Sequence, residues 1–309
     1  RSLASRFRSS FASDRSFWLL LLGFFFTSIL IRMLWVTYVQ NPGDALQTDM
    51  KGYYDRAVNL VNGTQVDSQG LACFPYGTHF LLALEMKLFG VDNFTALGIV
   101  QAILNGFFVV FSLLATRRTS SSLIAVVVVG VLTTFWYPAI TYAGFFTSET
   151  PYMFFVSLSY FLLIRLSQTG KGHWLAGIAM AFAFTVRAQM ILTAALYVLW
   201  FFLRRKDAPL PALRKLAFLL IPIAIVCVFS AYRYHHFTGR YDLISDNGAI
   251  ARLFAVTDYE LIEADQMNPD NTPVIGRDGK VRTKKFQPPA RSKKNGYHGV
   301  FKFRGYISD

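Results

Sequence analysis

Leu19-Leu20-Leu21-Leu22-Gly23-Phe24-Phe25-Phe26 forms the centre of Ser16 to Val39, an apolar run with a single charged residue, Arg32. A hydrocarbon core takes roughly 20 such residues to cross as a helix. The run is preceded by Arg1, Arg6, Arg8 and Arg15 against one acid, Asp14. That basic flank orients the N-terminus to the cytoplasm. A turn, Asn41-Pro42-Gly43-Asp44, follows the run. Next comes Thr48-Asp49-Met50-Lys51-Gly52-Tyr53-Tyr54-Asp55-Arg56-Ala57. Asp49 therefore sits just beyond the outer end of a membrane span, where a carboxylate is a candidate base at a lipid–water boundary.

The composition agrees with a membrane chain throughout. Of 309 residues, 53% are hydrophobic and 16% aromatic, and the mean hydropathy is +0.37. A soluble domain of this size carries more charge. Apolar runs recur as far as Tyr232, so the first one is a span and not a cleaved leader ahead of a soluble body. The net charge of +13 would ordinarily raise nucleic acid as a partner. Here many of the basic residues fall in short connections between spans, where they set orientation. The two cysteines, Cys73 in an outer loop and Cys227 in a span, offer neither a disulfide framework nor zinc spacing.

Arg32 reads as a snorkelling side chain, its head drawn toward the interface. From Met50 the apolar positions Met50, Tyr53, Tyr54, Ala57, Val58 and Val61 have one-sided helical spacing. This predicts a short helix on the membrane surface, ended by Asn62-Gly63. A second interfacial segment runs from Pro75 to Gly90. Further spans are expected at Leu97 to Ala115, Leu123 to Tyr142, Pro151 to Leu166, His173 to Val186, Gln189 to Phe202 and Leu216 to Tyr232. That makes about seven crossings, with a re-entrant pair near Val186 as the alternative. The short basic connections, among them Arg117-Arg118 and Arg204-Arg205-Lys206, then share one side. The predicted fold is an all-α polytopic membrane protein. Its organisation is a basic N-terminus at 1–15, a transmembrane domain at 16–232 and an external segment at 233–309. The last is polar, with loop signals at Asn271-Thr272-Pro273 and Gln287-Pro288-Pro289-Ala290. It ends without a closing element, so the chain is expected to be a piece of a longer one. Asn62-Gly63-Thr64 and Asn93-Phe94-Thr95 fit the N-glycosylation sequon.

Three features carry chemistry. Asp49, Tyr53 and Ala57 repeat at every fourth residue and share a helix face; on its own, Asp49 is also readable as a solvated loop acid. Ser148-Glu149-Thr150-Pro151 opens an inward span on the outer side. It serves either as a helix start with a capping residue or as the source of a second carboxylate, Glu149, for the same outer cavity. Paired carboxylates orient and deprotonate a hydroxyl or amine. Arg187, before Ala188 and Gln189, is either an anchor at a span end or a phosphate contact through charge-assisted hydrogen bonds. Lys51, Arg56, Lys87 and Arg233 are further candidates for the phosphate. His79, in the region after Phe74-Pro75-Tyr76-Gly77, is placed to line a cavity. The five histidines have no metal-ligand spacing, and no metal is expected. No Gly-rich phosphate loop is present, so the energy comes with the substrate or from a gradient.

Thr48-Asp49-Met50 with Tyr53 and Ala57 resembles the first-loop motif of the GT-C membrane glycosyltransferases. The resemblance is to the branch holding the protein O-mannosyltransferases and the bacterial aminoarabinose transferase of lipid A. Phe74-Pro75-Tyr76-Gly77 with the segment ending Leu88-Phe89-Gly90 is similar too, as are Ser148-Glu149-Thr150-Pro151, and Arg187 with Gln189 after a span containing Gly177. Arg240 to Leu253, with Ser245-Asp246-Asn247-Gly248, resembles the start of that family's large outer loop. Met50 departs from the pattern, since many relatives carry a second acid there. Relatives also have further spans after the large loop. The resemblance implies a GT-C-like bundle with its active site on the extracytoplasmic or lumenal face. It implies a sugar donor on polyprenyl phosphate, an acceptor that is a glycan, lipid or protein, and no nucleic acid or separate cofactor. Asp49 becomes the base and Glu149 an organiser of the site. Arg187 becomes the phosphate contact, with Tyr53, His79, Lys51 and Asn247 as substrate-binding candidates. The competing class is a transporter or lipid flippase. Transporters gather polar residues near the bilayer midplane, whereas these cluster at the outer ends of spans.

Overall fold

The computed structural model describes residues 15–64, 75–204, 209–238, 262–265 and 283–286. The chain divides into two compact units, Arg1–Ser245 and Asp246–Asp309. Within the second unit the described residues form a two-stranded antiparallel ladder, β1 (Ile262–Asp265) on β2 (Thr283–Phe286), with Ile262 opposite Phe286. Asn247 and the loop signal at Asn271-Thr272-Pro273 lie outside the described residues, as does Cys73.

The first unit is helical. In chain order it contains α1 (Arg15–Tyr38), α2 (Thr48–Asn62), α3 (Tyr76–Phe89), α4 (Phe94–Thr119) and α5 (Leu123–Thr134). It continues with α6 (Tyr137–Thr141), α7 (Glu149–Thr169), α8 (His173–Val186), α9 (Met190–Arg204) and α10 (Pro209–Thr238). Short 3-10 turns at Pro42–Ala45 and Tyr142–Gly144 complete it. Among the described residues, four helices are long and apolar enough to cross a membrane: α1, α4, α7 and the part of α10 from Leu213 to His236. The pair α5 and α6 counts as a fifth if taken as one bent span, and α8 and α9 are shorter apolar helices. On α1, Leu19, Leu22, Phe26, Leu30 and Leu34 are all exposed. Their spacing puts them on one face, an apolar stripe that water would not tolerate and lipid does.

Three buried clusters hold the unit together. Phe17, Leu21, Val109, Leu113 and Val126 join α1, α4 and α5. Met180 and Phe184 of α8 pack with Leu163 of α7 and Leu219 of α10. Met50 and Ala57 of α2 pack with Leu82 and Met86 of α3, Leu97 of α4 and Phe146. The helices approach closely where glycine permits. A Cβ on Gly177 of α8 would strike the Leu219 carbonyl oxygen of α10. A Cβ on Gly77 of α3 would strike Thr185, and would come within 2.8 Å of the Val186 amide nitrogen at the end of α8.

Two expectations change. The span from Leu123 to Tyr142 is not one helix: it breaks after Thr134 and turns by 51°. Arg32 does not snorkel. It is fully buried, and its Nη1 donates to Thr134 O at 3.0 Å while its Nη2 donates to Thr133 O at 3.1 Å. Nη1 also reaches Ser28 Oγ at 2.7 Å. The two changes have one cause. A continuing helix would give the Thr134 carbonyl the amide of residue 138, but Pro138 has no N–H to donate. The Thr133 carbonyl loses its partner because Trp136 is extended. Inside a membrane no water satisfies these carbonyls, and the guanidinium does.

Candidate active site

The site forms at the end of the bundle where α1 finishes and α7 begins. Gly144, just ahead of α7, packs against the Gln40 backbone just past α1, where a Cβ would sit 2.7 Å from the Gln40 carbonyl oxygen. Thr150 fixes the start of α7 by donating to Tyr142 O at 3.1 Å and accepting from Asn105 Nδ2 of α4 at 3.2 Å. Glu149 is thereby held in the first turn of α7, where the helix dipole favours an acid. Arg187 caps the C-terminal end of α8, where the dipole favours a cation. The two ends meet. Arg187 Nη2 donates to Glu149 Oε1 in an ion pair, and Nε donates to Ser148 Oγ at 3.0 Å. The face of the guanidinium lies 5.6 Å from the Tyr152 ring.

Asp49 and Tyr53 reach this pair from α2. The helix starts at Thr48 and ends on Gly63, whose φ of 67° is left-handed and closes the last turn with a bond to Asn59 O. Tyr54 of α2 stacks on Phe146 at 6.2 Å and lies 5.5 Å from Phe94, seating the helix against α4 and the segment before α7. Tyr53 is buried, and its phenol lies near the Ser148 hydroxyl. Burial pushes that phenol up to about 12; the Ser148 hydroxyl acts the other way, as does Arg187, while Asp49 and Glu149 reinforce the rise. Asp49 is exposed at the edge of the cluster. Partial desolvation raises its carboxyl above the usual range, the Glu149 carboxylate raises it further, and Arg56 opposes both. Segments from three distant parts of the chain thus bring Asp49, Tyr53, Ser148, Glu149 and Arg187 into one cluster with two carboxylates and one guanidinium.

Other candidates fall elsewhere. Lys51 lies on the opposite side of α2, where it pairs with Asp55 at 2.9 Å. Two residues along a helix turn the side chain through roughly 200°, so sharing α2 with Asp49 keeps Lys51 away from it. That opposite face borders an open hollow of about 620 Å³ lined by Tyr54, Asp55, Val58, Asn59, Asn62, Val91 and Asp92. His79 is fully buried on α3, and among the described residues neither ring nitrogen has a hydrogen-bond partner. Burial holds its pKa well below the usual value, and Arg233 and Arg56 lower it further. It belongs to a neighbouring basic region, where Arg233 lies 5.0 Å above the Tyr76 ring and the Tyr76 hydroxyl meets Ser230 Oγ at 2.8 Å. Ser148 was readable only as a cap. Its role in joining Tyr53 to Arg187 leaves no sequence signal, because the three are distant along the chain.

Residues 74–232, just over half of the chain, match the family described as Dolichyl-phosphate-mannose-protein mannosyltransferase. No curated protein and no solved structure matches the chain. The match runs from the loop ahead of α3 to the last span and takes in Glu149 and Arg187. With its apolar helices and this family match, the chain belongs to the dolichyl-phosphate-mannose-protein mannosyltransferase family and is an integral membrane glycosyltransferase of the mannosyltransferase type with the GT-C fold.

Proposed function

We propose that this protein transfers a sugar from a polyprenyl-phosphate carrier to a hydroxyl or amine on a glycan, lipid or protein acceptor. The cluster would work at the extracytoplasmic or lumenal face, with the N-terminus in the cytoplasm. One observation carries the reading: Asp49 stands beside an Arg187–Glu149 pair at the ends of spans, in a chain of this family. The reaction is a direct displacement with inversion. The acceptor oxygen or nitrogen attacks the anomeric carbon, and the bond from that carbon to the phosphate oxygen breaks. The electron pair leaves on the lipid phosphate, and Asp49 takes the acceptor proton.

Each residue has a physical part in this. An aspartate with a raised pKa is a stronger base than an ordinary one and remains ionised above that pKa. Arg187 meets the charge that grows on the leaving phosphate. Glu149 fixes Arg187 and hydrogen-bonds sugar or acceptor hydroxyls with its remaining lone pairs. Tyr53, neutral and buried, walls the site on the Asp49 side. His79 and the region around Arg233 flank the carrier's path.

The test is Asp49→Asn in the full-length protein in membranes, supplied with dolichyl-phosphate-mannose carrying labelled mannose. Losing a general base lowers transfer by about 10²–10⁴-fold. Transfer at the wild-type rate, with normal expression, removes Asp49 from the role of base.

A further inference from the structure

Ser148 occupies the position before α7, where a serine hydroxyl ordinarily accepts a hydrogen bond from an amide of the first turn. Here it makes no such bond, and its backbone is already helical, at φ −72° and ψ −12°. The start of α7 is anchored by Thr150 instead. Ser148 is buried, at 8% exposure. Its hydroxyl accepts from Arg187 Nε at 3.0 Å and lies near the Tyr53 phenol. It thus ties the helix that carries Asp49 to the residue that carries the positive charge.

The consequence for the guanidinium is specific. Nε is held by Ser148, Nη2 by Glu149, and one face by Tyr152. Among the described residues Nη1 has no hydrogen-bond partner, and the side chain is 31% exposed. An arginine left alone with a carboxylate favours a fork, with two N–H groups on two oxygens. Ser148 takes Nε, so the guanidinium is held at two points, Nε and Nη2, and cannot turn to lay Nη1 on the second oxygen of Glu149, which leaves the Nη1 edge open. We infer that Ser148 is a positioning residue, whose hydroxyl holds Arg187 so that Nη1 remains available to an anionic oxygen, the phosphate of a lipid-linked donor.

This rests on the sugar-transferase reading above and is separable from it by experiment. The probes are dolichyl phosphate, for binding to the purified full-length protein, and dolichyl-phosphate-mannose, for transfer in membranes. Ser148→Ala releases Nε and lets the guanidinium turn so that Nη1 and Nη2 close together onto Glu149. The expected result is dolichyl phosphate binding about 10-fold weaker and a donor KM about 10-fold higher, with the acceptor KM within about 2-fold of wild type. Ser148→Thr retains the hydroxyl and restores both to within about 3-fold of wild type. A role confined to folding would move the unfolding midpoint and would not single out the donor KM. Should Ser148→Ala fail to accumulate, Ser148→Cys, close in size but a weak acceptor, is measured in its place against the same expectations. The inference is overturned if the Ala or Cys variant binds dolichyl phosphate as wild type does. It is also overturned if Thr is as defective as Ala at an unchanged unfolding midpoint. A wild-type protein that neither binds dolichyl phosphate nor transfers mannose overturns the functional reading itself.

Discussion

Arg32→Met tests how a broken span is kept in a membrane. The substitution retains length and apolar volume and deletes the donors that reach Thr133 O, Thr134 O and Ser28. Two carbonyls at the end of α5 are then buried with nothing to accept from, at about 1–3 kcal/mol each. Against this stands the guanidinium's own desolvation cost, which the methionine abolishes and which offsets part of the loss. Polar contacts between membrane helices average only about 0.6 kcal/mol, because the separated helices find other partners. That relief is closed here, since Pro138 removes the one amide that could serve Thr134 in a rebuilt helix. The net expectation is a loss of about 2–4 kcal/mol.

The assay is thermal unfolding of the full-length protein in detergent micelles. For a chain of this length a loss of this size lowers the midpoint by roughly 3–8 °C. Arg32→Lys separates the two accounts of this residue. Snorkelling needs only a long cationic side chain, so Lys would serve as well as Arg. Clamping two carbonyls through two nitrogens needs the planar fork, so Lys would recover only about half of the loss. Arg32→Met unfolding at the wild-type midpoint would refute the clamp.

Glu149→Gln removes a negative charge beside Asp49, so the Asp49 pKa falls and the acid limb of the transfer-rate profile moves to lower pH; an unmoved limb contradicts either the coupling or the base. Glu85 of α3 is buried and accepts from Gln101 Nε2 at 2.9 and 3.0 Å; burial pushes its carboxyl up to about 8, with the Gln101 bond opposing. A raised acid binds more protons folded than unfolded, so its contribution is intact below about pH 4.5 and erodes as pH climbs to about 8; Glu85→Gln should flatten the fall in unfolding midpoint across that window, and an unchanged slope would count against a neutral Glu85. Gly77→Ala drives a methyl into Thr185 and Val186 directly ahead of Arg187, so overpacking of about 1–3 kcal/mol should come with a loss of transfer through a displaced Arg187. Transfer at the wild-type rate would mean that α3 does not set the position of Arg187.

What could be read in advance follows from how far each interaction reaches along the chain. The first span is legible because lipid imposes length and apolarity locally: the run Ser16 to Val39 is helical over Arg15–Tyr38, whereas His173 to Val186 agrees at both ends as a helix but is one of the shorter apolar helices and not one of the long spans. The surface helix was legible from its one-sided spacing and its glycine stop, and Gly63 does end it. The break after Thr134 is invisible to hydropathy, which stays high over the whole stretch, and follows instead from the carbonyl that Pro138 strands four residues earlier. Arg32 was misread for the complementary reason: its partners lie about 100 residues away, and only that pairing distinguishes a buried clamp from a snorkel. The candidate site divides along the same line. Asp49 was singled out by its position beyond a span end, and Glu149 and Arg187 by charges at helix ends; Ser148 acquires its role only once Tyr53 and Arg187 are beside it. A serine ahead of a helix is nearly always explained locally, by a cap. That this one leaves its helix uncapped is information that arises in three dimensions, and it is the reason the hydroxyl is free to join the helix carrying the base to the residue carrying the charge.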